Sequence, residues 1–254
     1  MSNDETLLSV TSAHLNTGLR GIPVGTCRTS FVTPTEGVHY CGYPIAELAA
    51  MDVEDVIYLL FNKELPTAEQ SSAFRADLSA RGAVPDGVAS VYAALPREGH
   101  PMDWLSVGMH TLGMADTTGD WLEDALNLVA RMPRVMGLLF RYREGRSEGI
   151  PEDDLSLGLV DRFIATLDPE GVDRSVMREV LNAYLVLHLD HGGGNLSTFT
   201  GKATASGKAT LYASMASAMN SLSGPLHGRA NQSCLEFVLG IGTSDPVEVE
   251  SFIR

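Results

Sequence analysis

The sequence predicts an all-α fold with one small β-hairpin near the start of the chain. Apolar residues recur at the spacing of amphipathic helices through most of the chain. The longest such stretch covers residues 121–140, with Pro133 expected to bend it. Strand-like alternation is confined to residues 27–31 and 38–41, which flank a turn and therefore predict the hairpin.

Helix starts can also be predicted from capping patterns. Thr67, with Gln70 three residues later, forms a capping box. Asp103 is expected to cap a helix over residues 104–114.

Three helices are predicted around two histidine motifs. The first helix covers 176–190 and is stopped by the glycines of His-Leu-Asp-His-Gly-Gly-Gly-Asn at 188–195. The second covers about 203–221 and is rich in small residues that permit close helix packing. The third begins after His227, which lies in Gly-Pro-Leu-His-Gly at 224–228.

The two motifs place His191 and His227 at opposite kinds of helix end. A helix carboxyl end favours a positive imidazole, as expected for His191, and an amino end disfavours one, as expected for His227. This pattern predicts a cationic anchor for an anion beside a neutral hydrogen-bond donor. Each histidine also has a purely structural interpretation, as a helix cap for His191 and as part of a turn for His227.

Composition excludes several classes of function. The net charge of −14 argues against a nucleic-acid surface. No apolar run reaches the roughly 18 residues of a membrane span, and the start lacks the features of a secretory signal. Three scattered cysteines indicate reduced thiols, so we expect a cytoplasmic protein.

The basic residues are unusual because only three of the 18 are lysines. Acidic residues are spread along the whole chain, as in a hydrated surface coat. This pattern indicates adaptation to a cytoplasm of high salt, and an ordinary acidic protein is the alternative.

Several motifs together carry a resemblance to a known family. They are Gly-Leu-Arg-Gly at 18–21, Gly-Tyr-Pro-Ile-Ala-Glu-Leu at 42–48, Glu-Leu-Pro-Thr at 64–67, His-Pro-Met-Asp at 100–103, and the two histidine motifs extended to 188–197 and 224–231. On these residues the chain resembles the large domain of citrate synthase, from about residue 18 to about residue 242. Two positions depart from the family pattern: Cys41 replaces the usual arginine, and Gly192 replaces a frequent glutamate.

The resemblance implies an acyltransferase of the tricarboxylic acid cycle that condenses acetyl-CoA with oxaloacetate and hydrolyses citryl-CoA to citrate and CoA. His227 corresponds to the catalytic histidine that stabilises the enol, and His191 to the histidine that binds oxaloacetate. Asn195 would bind substrate or position His227, with an ordinary turn residue as the alternative. No metal, cofactor or prosthetic group is expected, and a homodimer is implied, with the helix over 203–221 as a candidate contact.

The resemblance also implies a domain division. Residues 1–254 would form the large domain, and a small domain would be expected after this point. In the family that small domain supplies another active-site histidine, the aspartate base, the arginines that hold oxaloacetate and most contacts to CoA. None of those motifs is present in residues 1–254.

Three alternatives remain open. One is 2-methylcitrate synthase, which uses propionyl-CoA. Another is a non-catalytic dimerising fragment. The third is a zinc module built from His188, Asp190, His191 and His227, which the ligand spacing disfavours. Apart from that module, His188 is expected in the core and Ser197 as a helix cap.

Overall fold

The structure, a computed structural model, describes residues 6, 8–17, 22, 25–190 and 192–253. Within these residues the strands are β1 Ser30–Thr33, β2 Gly37–Tyr40 and β3 Tyr43–Pro44. The α-helices are α1 Ile45–Leu48, α2 Val53–Asn62, α3 Ala68–Arg81, α4 Asp86–Ala94, α5 Pro101–Asp116, α6 Trp121–Arg143, α7 Leu159–Leu167, α8 Arg174–His188, α9 Leu196–Ser206, α10 Leu211–Leu222, α11 Ala230–Ile241 and α12 Pro246–Ile253, and a 3-10 helix covers Ser12–Asn16. The predicted mainly helical fold is confirmed.

The predicted hairpin is present and is extended by a third strand. β1 and β2 pair antiparallel, with Ser30 opposite Tyr40 and Thr33 opposite Gly37. β3 adds on the other side of β2 through two residue pairs. The third strand was not predicted because two residues are too few to show alternation.

The buried residues form two apolar clusters. One is centred on α5 and α6 and includes Trp104, Leu112, Leu139 and Tyr212. The other joins the hairpin to the helices beside it through Tyr40, Leu48, Val53, Val56, Ile57, Leu59, Val160, Ile164 and Val186. The second cluster therefore fixes the hairpin against the end of α8.

The region predicted as one helix over about 203–221 contains two helices, so that boundary was wrong. The break follows Gly207, where Lys208 takes a left-handed φ of 60°. Thr210 then starts α10 by accepting a hydrogen bond from the Ala213 amide at 3.2 Å. A Cβ built on Gly201 would lie 3.3 Å from the Ala218 Cβ, so small residues do bring α9 and α10 close together.

Two predicted helix starts have different outcomes. The capping box of Thr67 and Gln70 is confirmed. The predicted start at residue 104, with Asp103 as the cap, was wrong, because α5 begins three residues earlier at Pro101, which suits the first turn of a helix. The His100 ring caps this helix, with Nδ1 accepting the Met102 amide at 3.2 Å.

In the described part of the chain, no helix combines the length and apolar character that crossing a membrane requires.

Tyr40 connects the hairpin to the end of α8. Its side chain is fully buried, and its hydroxyl donates to the Val186 carbonyl at 3.0 Å. The same hydroxyl accepts the Asp190 amide at 3.2 Å. Burial raises the pKa of Tyr40, although the hydrogen bond from Asp190 opposes that rise, so the hydroxyl keeps its hydrogen and can donate it.

We predict that Tyr40→Phe lowers the free energy of unfolding by about 1–3 kcal/mol, because the buried Val186 carbonyl and the part-buried Asp190 amide lose their partner. Urea unfolding followed by circular dichroism measures the change. Tyr43→Phe is the matched control, since no hydrogen bond to its hydroxyl is found among the described residues. Equal effects of the two substitutions would contradict the role of the Tyr40 hydroxyl.

Candidate functional site

The candidate site is built around the loop that joins α8 to α9. His191, predicted to bind a dicarboxylate, belongs to this loop but lies outside the described residues. Its neighbour Gly192 has a φ of +93°, which an L side chain rarely adopts. Glycine adopts this backbone conformation without strain.

Asp190 ties this loop to the hairpin. One of its carboxylate oxygens, Oδ1, accepts the Gly192 amide at 3.1 Å. The other, Oδ2, accepts the hydroxyl of Thr29, which lies just before β1. The Asp190 amide also donates to the Tyr40 hydroxyl. Both the backbone and the side chain of Asp190 therefore attach this loop to the hairpin.

Asn195 closes the other end of the loop and starts α9. Its Oδ1 accepts the Thr198 amide at 2.7 Å and the Ser197 hydroxyl at 2.6 Å. Its Nδ2 donates to the Gly192 carbonyl at 3.3 Å. Asn195 is therefore the cap of α9, a role that the sequence analysis gave to Ser197, and that assignment was wrong.

His227 lies in the turn between α10 and α11, with its half-buried ring directed at the start of α9. Its Nε2 is 3.3 Å from the Ser197 amide nitrogen and 3.1 Å from the Ser197 hydroxyl oxygen. The sequence predicted that His227 precedes a helix, and α11 does begin at Ala230, but the contact of the ring with a second helix was not predicted. The ring contacts the amino end of α9 at Ser197, which lies 30 residues earlier in the sequence.

The amino end of α9 favours one tautomer of His227. The Ser197 hydroxyl gives its one hydrogen to Asn195, so its 3.1 Å contact with Nε2 does not by itself select that tautomer. The Ser197 amide can donate only to an unprotonated Nε2. The positive end of the α9 dipole also favours a lone pair facing it, which places the ring hydrogen on Nδ1. No partner of Nδ1 is found among the described residues, so this N–H is available to a substrate oxygen.

The turn that carries His227 needs glycine at the next position. A Cβ on Gly228 would lie 2.5 Å from Leu222 Cδ1 and 2.9 Å from the Leu222 carbonyl oxygen. The turn therefore packs directly against the end of α10, and this contact fixes the position of the His227 ring.

The structure corrects the prediction for His188. Its ring is exposed instead of buried in the core, and it stacks on the Tyr184 ring with centroids 4.1 Å apart. The apolar face of α8 to which it belongs is also open, with Val180 61% and Tyr184 49% exposed. The periodicity located the apolar face correctly but could not show what covers it.

Of the predicted site residues, Asn195 and His227 are brought together through Ser197. Sequence reasoning missed the importance of Thr29 and Tyr40, since no local pattern links the hairpin to a loop about 150 residues later. Among the described residues, no group of three or more His, Cys, Asp or Glu side chains is placed to hold a metal. His191 is not among them, so the zinc alternative and the expected absence of a cofactor stay predictions.

Comparison with known proteins gives the same family as the motifs. Residues 18–254 match the family model described as citrate synthase, C-terminal domain. The chain is 33% identical over 248 residues to the mitochondrial citrate synthase of Daucus carota, with 88% of this chain and 52% of that protein covered. It is 35% identical over 246 residues to the citrate synthase of Haloferax volcanii, with 92% and 64% covered. The chain thus spans less than two thirds of either relative.

Solved structures agree on the fold. The citrate synthase of Pyrobaculum aerophilum matches with a TM-score of 0.78 at 27% identity, covering 89% of this chain and 60% of that one. The citrate synthase of Thermotoga maritima matches with a TM-score of 0.79 at 24% identity, covering 93% and 63%, and it supports the fold alone.

We predict that Gly228→Ala destabilises the protein by about 1–3 kcal/mol, because the added methyl group overlaps the end of α10. Thermal unfolding measures the loss. Gly194→Ala is the matched control, since no atom of the described residues beyond its chain neighbours lies within 4 Å of the Cβ position there. Similar melting temperatures for both variants would show that the turn is not fixed by this contact.

Proposed function

The chain belongs to the citrate synthase family, and on that premise we propose that it forms the large domain of an enzyme that condenses acetyl-CoA with oxaloacetate to give citrate and CoA. The observation that carries this proposal is the His227 ring held at the amino end of α9, with no partner for Nδ1 among the described residues. A small domain would supply the base that removes the acetyl proton.

His227 is proposed to stabilise the enol of acetyl-CoA. When the methyl group of the thioester loses a proton, negative charge develops on the carbonyl oxygen. A neutral N–H directed at that oxygen lowers the barrier, and loss of such a donor costs about 10²–10³-fold in rate. The fixed bond from the Ser197 amide to Nε2 at 3.3 Å supports this role, because the ring needs no reorientation during the reaction.

His191 and Asn195 are proposed to form part of the oxaloacetate site. The support for His191 is indirect, since its neighbours Asp190 and Gly192 are held by hydrogen bonds to each other and to the hairpin. Asn195 has its Oδ1 committed to α9, which favours a positioning role through Ser197 over a direct bond from that oxygen to substrate.

We predict a split between the two histidines in kinetics of the full gene product. His227→Ala should lower kcat by about 10²–10³-fold with little change in the KM for oxaloacetate. His191→Ala should mainly raise that KM, by about 10-fold or more, because a charged hydrogen bond to the dicarboxylate is lost. An assay of released thiol measures both constants. Small and equal effects of both variants would contradict the assignment.

A homodimer is also proposed. The support is the amount of apolar side chain left open on the helices of this chain, including Val176 and Val180 on α8 and Met215 on α10. Faces of this kind usually mark protein contacts, and a symmetric pair is the commonest arrangement.

We also propose that the protein works in a cytoplasm of high salt concentration. The support is its excess of acidic residues. The chain has 32 acidic residues against 18 basic ones. Their mutual repulsion destabilises the compact state in dilute buffer. At about 1 M salt the Debye length falls to about 3 Å, which removes most of that repulsion.

We therefore predict that the melting temperature rises by about 5 °C or more between about 0.1 M and about 2 M KCl, because screening relieves the repulsion of the folded state. Differential scanning calorimetry measures this shift, and activity should rise over the same range. A maximum of stability in dilute buffer would refute the proposed adaptation.

A further inference from the structure

A pocket lies beside the candidate site and is not used by the proposed chemistry. It has a volume of about 350 Å³ and opens between the start of β1 and the end of α2. Its lining includes two thiols, Cys27 and Cys41, and two cationic side chains, Arg28 and Lys63. A pocket that combines thiols with cations is suited to a small anion that reacts with sulfur.

The positive charge of this pocket stands out in so acidic a chain. Lys63 is one of only three lysines. A second, Lys202, lies close by, with its Nζ 3.5 Å from the Cβ positions of both Gly25 and Gly193. Among the described residues, neither Arg28 nor Lys63 forms an ion pair or a side-chain hydrogen bond, so both charges are available to an anion.

The two thiols differ in reactivity. Cys41 is half-buried, its Sγ contacts the Leu59 carbonyl at 3.6 Å, and burial raises the pKa of its thiol. Cys27 is exposed. Partial burial works against its thiolate, but hydrogen bonds from Thr29 and Ser30 outweigh that effect, so the pKa of the Cys27 thiol is lowered.

Cys27 is also connected to the loop of the candidate site. Its Sγ is 3.5 Å from the Thr29 hydroxyl oxygen, whose single hydrogen goes to Asp190. When Cys27 is a thiolate, that hydrogen can turn to the sulfur and release Asp190. In addition, the Cys27 Cβ lies 3.3 Å from the Cβ position of Gly193, so the thiol is next to the loop itself.

We propose that Cys27 is a modification site that reacts with small anionic disulfides, which Arg28 and Lys63 attract into the pocket. The thiolate of Cys27 attacks one sulfur of the disulfide, a new S–S bond forms, and the original S–S bond breaks. The leaving thiolate takes up the proton that Cys27 lost, so the protein sulfur is oxidised and the other half of the reagent is reduced. This reaction of Cys27 does not require the proposed condensation activity.

The test compares two reagents on the whole chain: dithiobis(nitrobenzoic acid), which is an anionic disulfide, and dithiodipyridine, which is neutral. Mass spectrometry of peptides gives separate rates for Cys27 and for Cys234, the other exposed thiol. At low ionic strength, the ratio of the Cys27 rate to the Cys234 rate should be about threefold or more higher with the anionic reagent than with the neutral one.

In the Lys63→Gln variant, the ratio of the Cys27 rate to the Cys234 rate with the anionic reagent should fall toward the ratio with the neutral reagent. Added salt should have the same effect. Lys208→Gln is the matched control, because Lys208 is exposed in the turn between α9 and α10. Equal ratios for both reagents, or equal effects of the two lysine substitutions, would overturn the proposal. Circular dichroism of each variant confirms that the fold is retained.

Discussion

The contact between the His227 ring and the amino end of α9 is the interaction on which the proposed chemistry depends. A histidine can donate or accept at either nitrogen, and only its surroundings decide which. Here the Ser197 amide lies 3.3 Å from Nε2 and can donate only to an unprotonated nitrogen. The helix end therefore selects the tautomer that leaves Nδ1–H for substrate.

This contact persists because two distant parts of the chain are fixed against the same loop. The end of α10 packs on Gly228 and sets the position of the His227 turn. On the other side, Thr29 and the buried Tyr40 hold Asp190, which precedes the predicted dicarboxylate ligand. The hairpin therefore holds the loop of the candidate site in place. The pocket lined by Cys27, Cys41, Arg28 and Lys63 opens beside the start of this hairpin. This position links a surface thiol to the loop through one hydroxyl group.

Much of this arrangement can be predicted from local sequence. The helical class, the hairpin, the capping box at Thr67 and the importance of the two histidine motifs all follow from periodicity, capping and motif content. Contacts between distant segments could not be found in that way. The ring of His227 uses α9 instead of the helix that follows it, and His188 is exposed because the apolar stripe of α8 is not covered by described residues. Helix α5 also begins at Pro101, where proline geometry outweighed the capping preference of Asp103.

Nitrogen NMR of the His227 ring, on protein labelled with nitrogen-15 histidine, is the most direct measurement of this central contact. A His227→Gln variant identifies the signal among the seven histidines. The expected result is a neutral ring with hydrogen on Nδ1 and an unprotonated Nε2 that accepts the Ser197 amide. A hydrogen on Nε2 would contradict it, because the ring would then donate to Ser197 and could not present Nδ1–H to the enol oxygen.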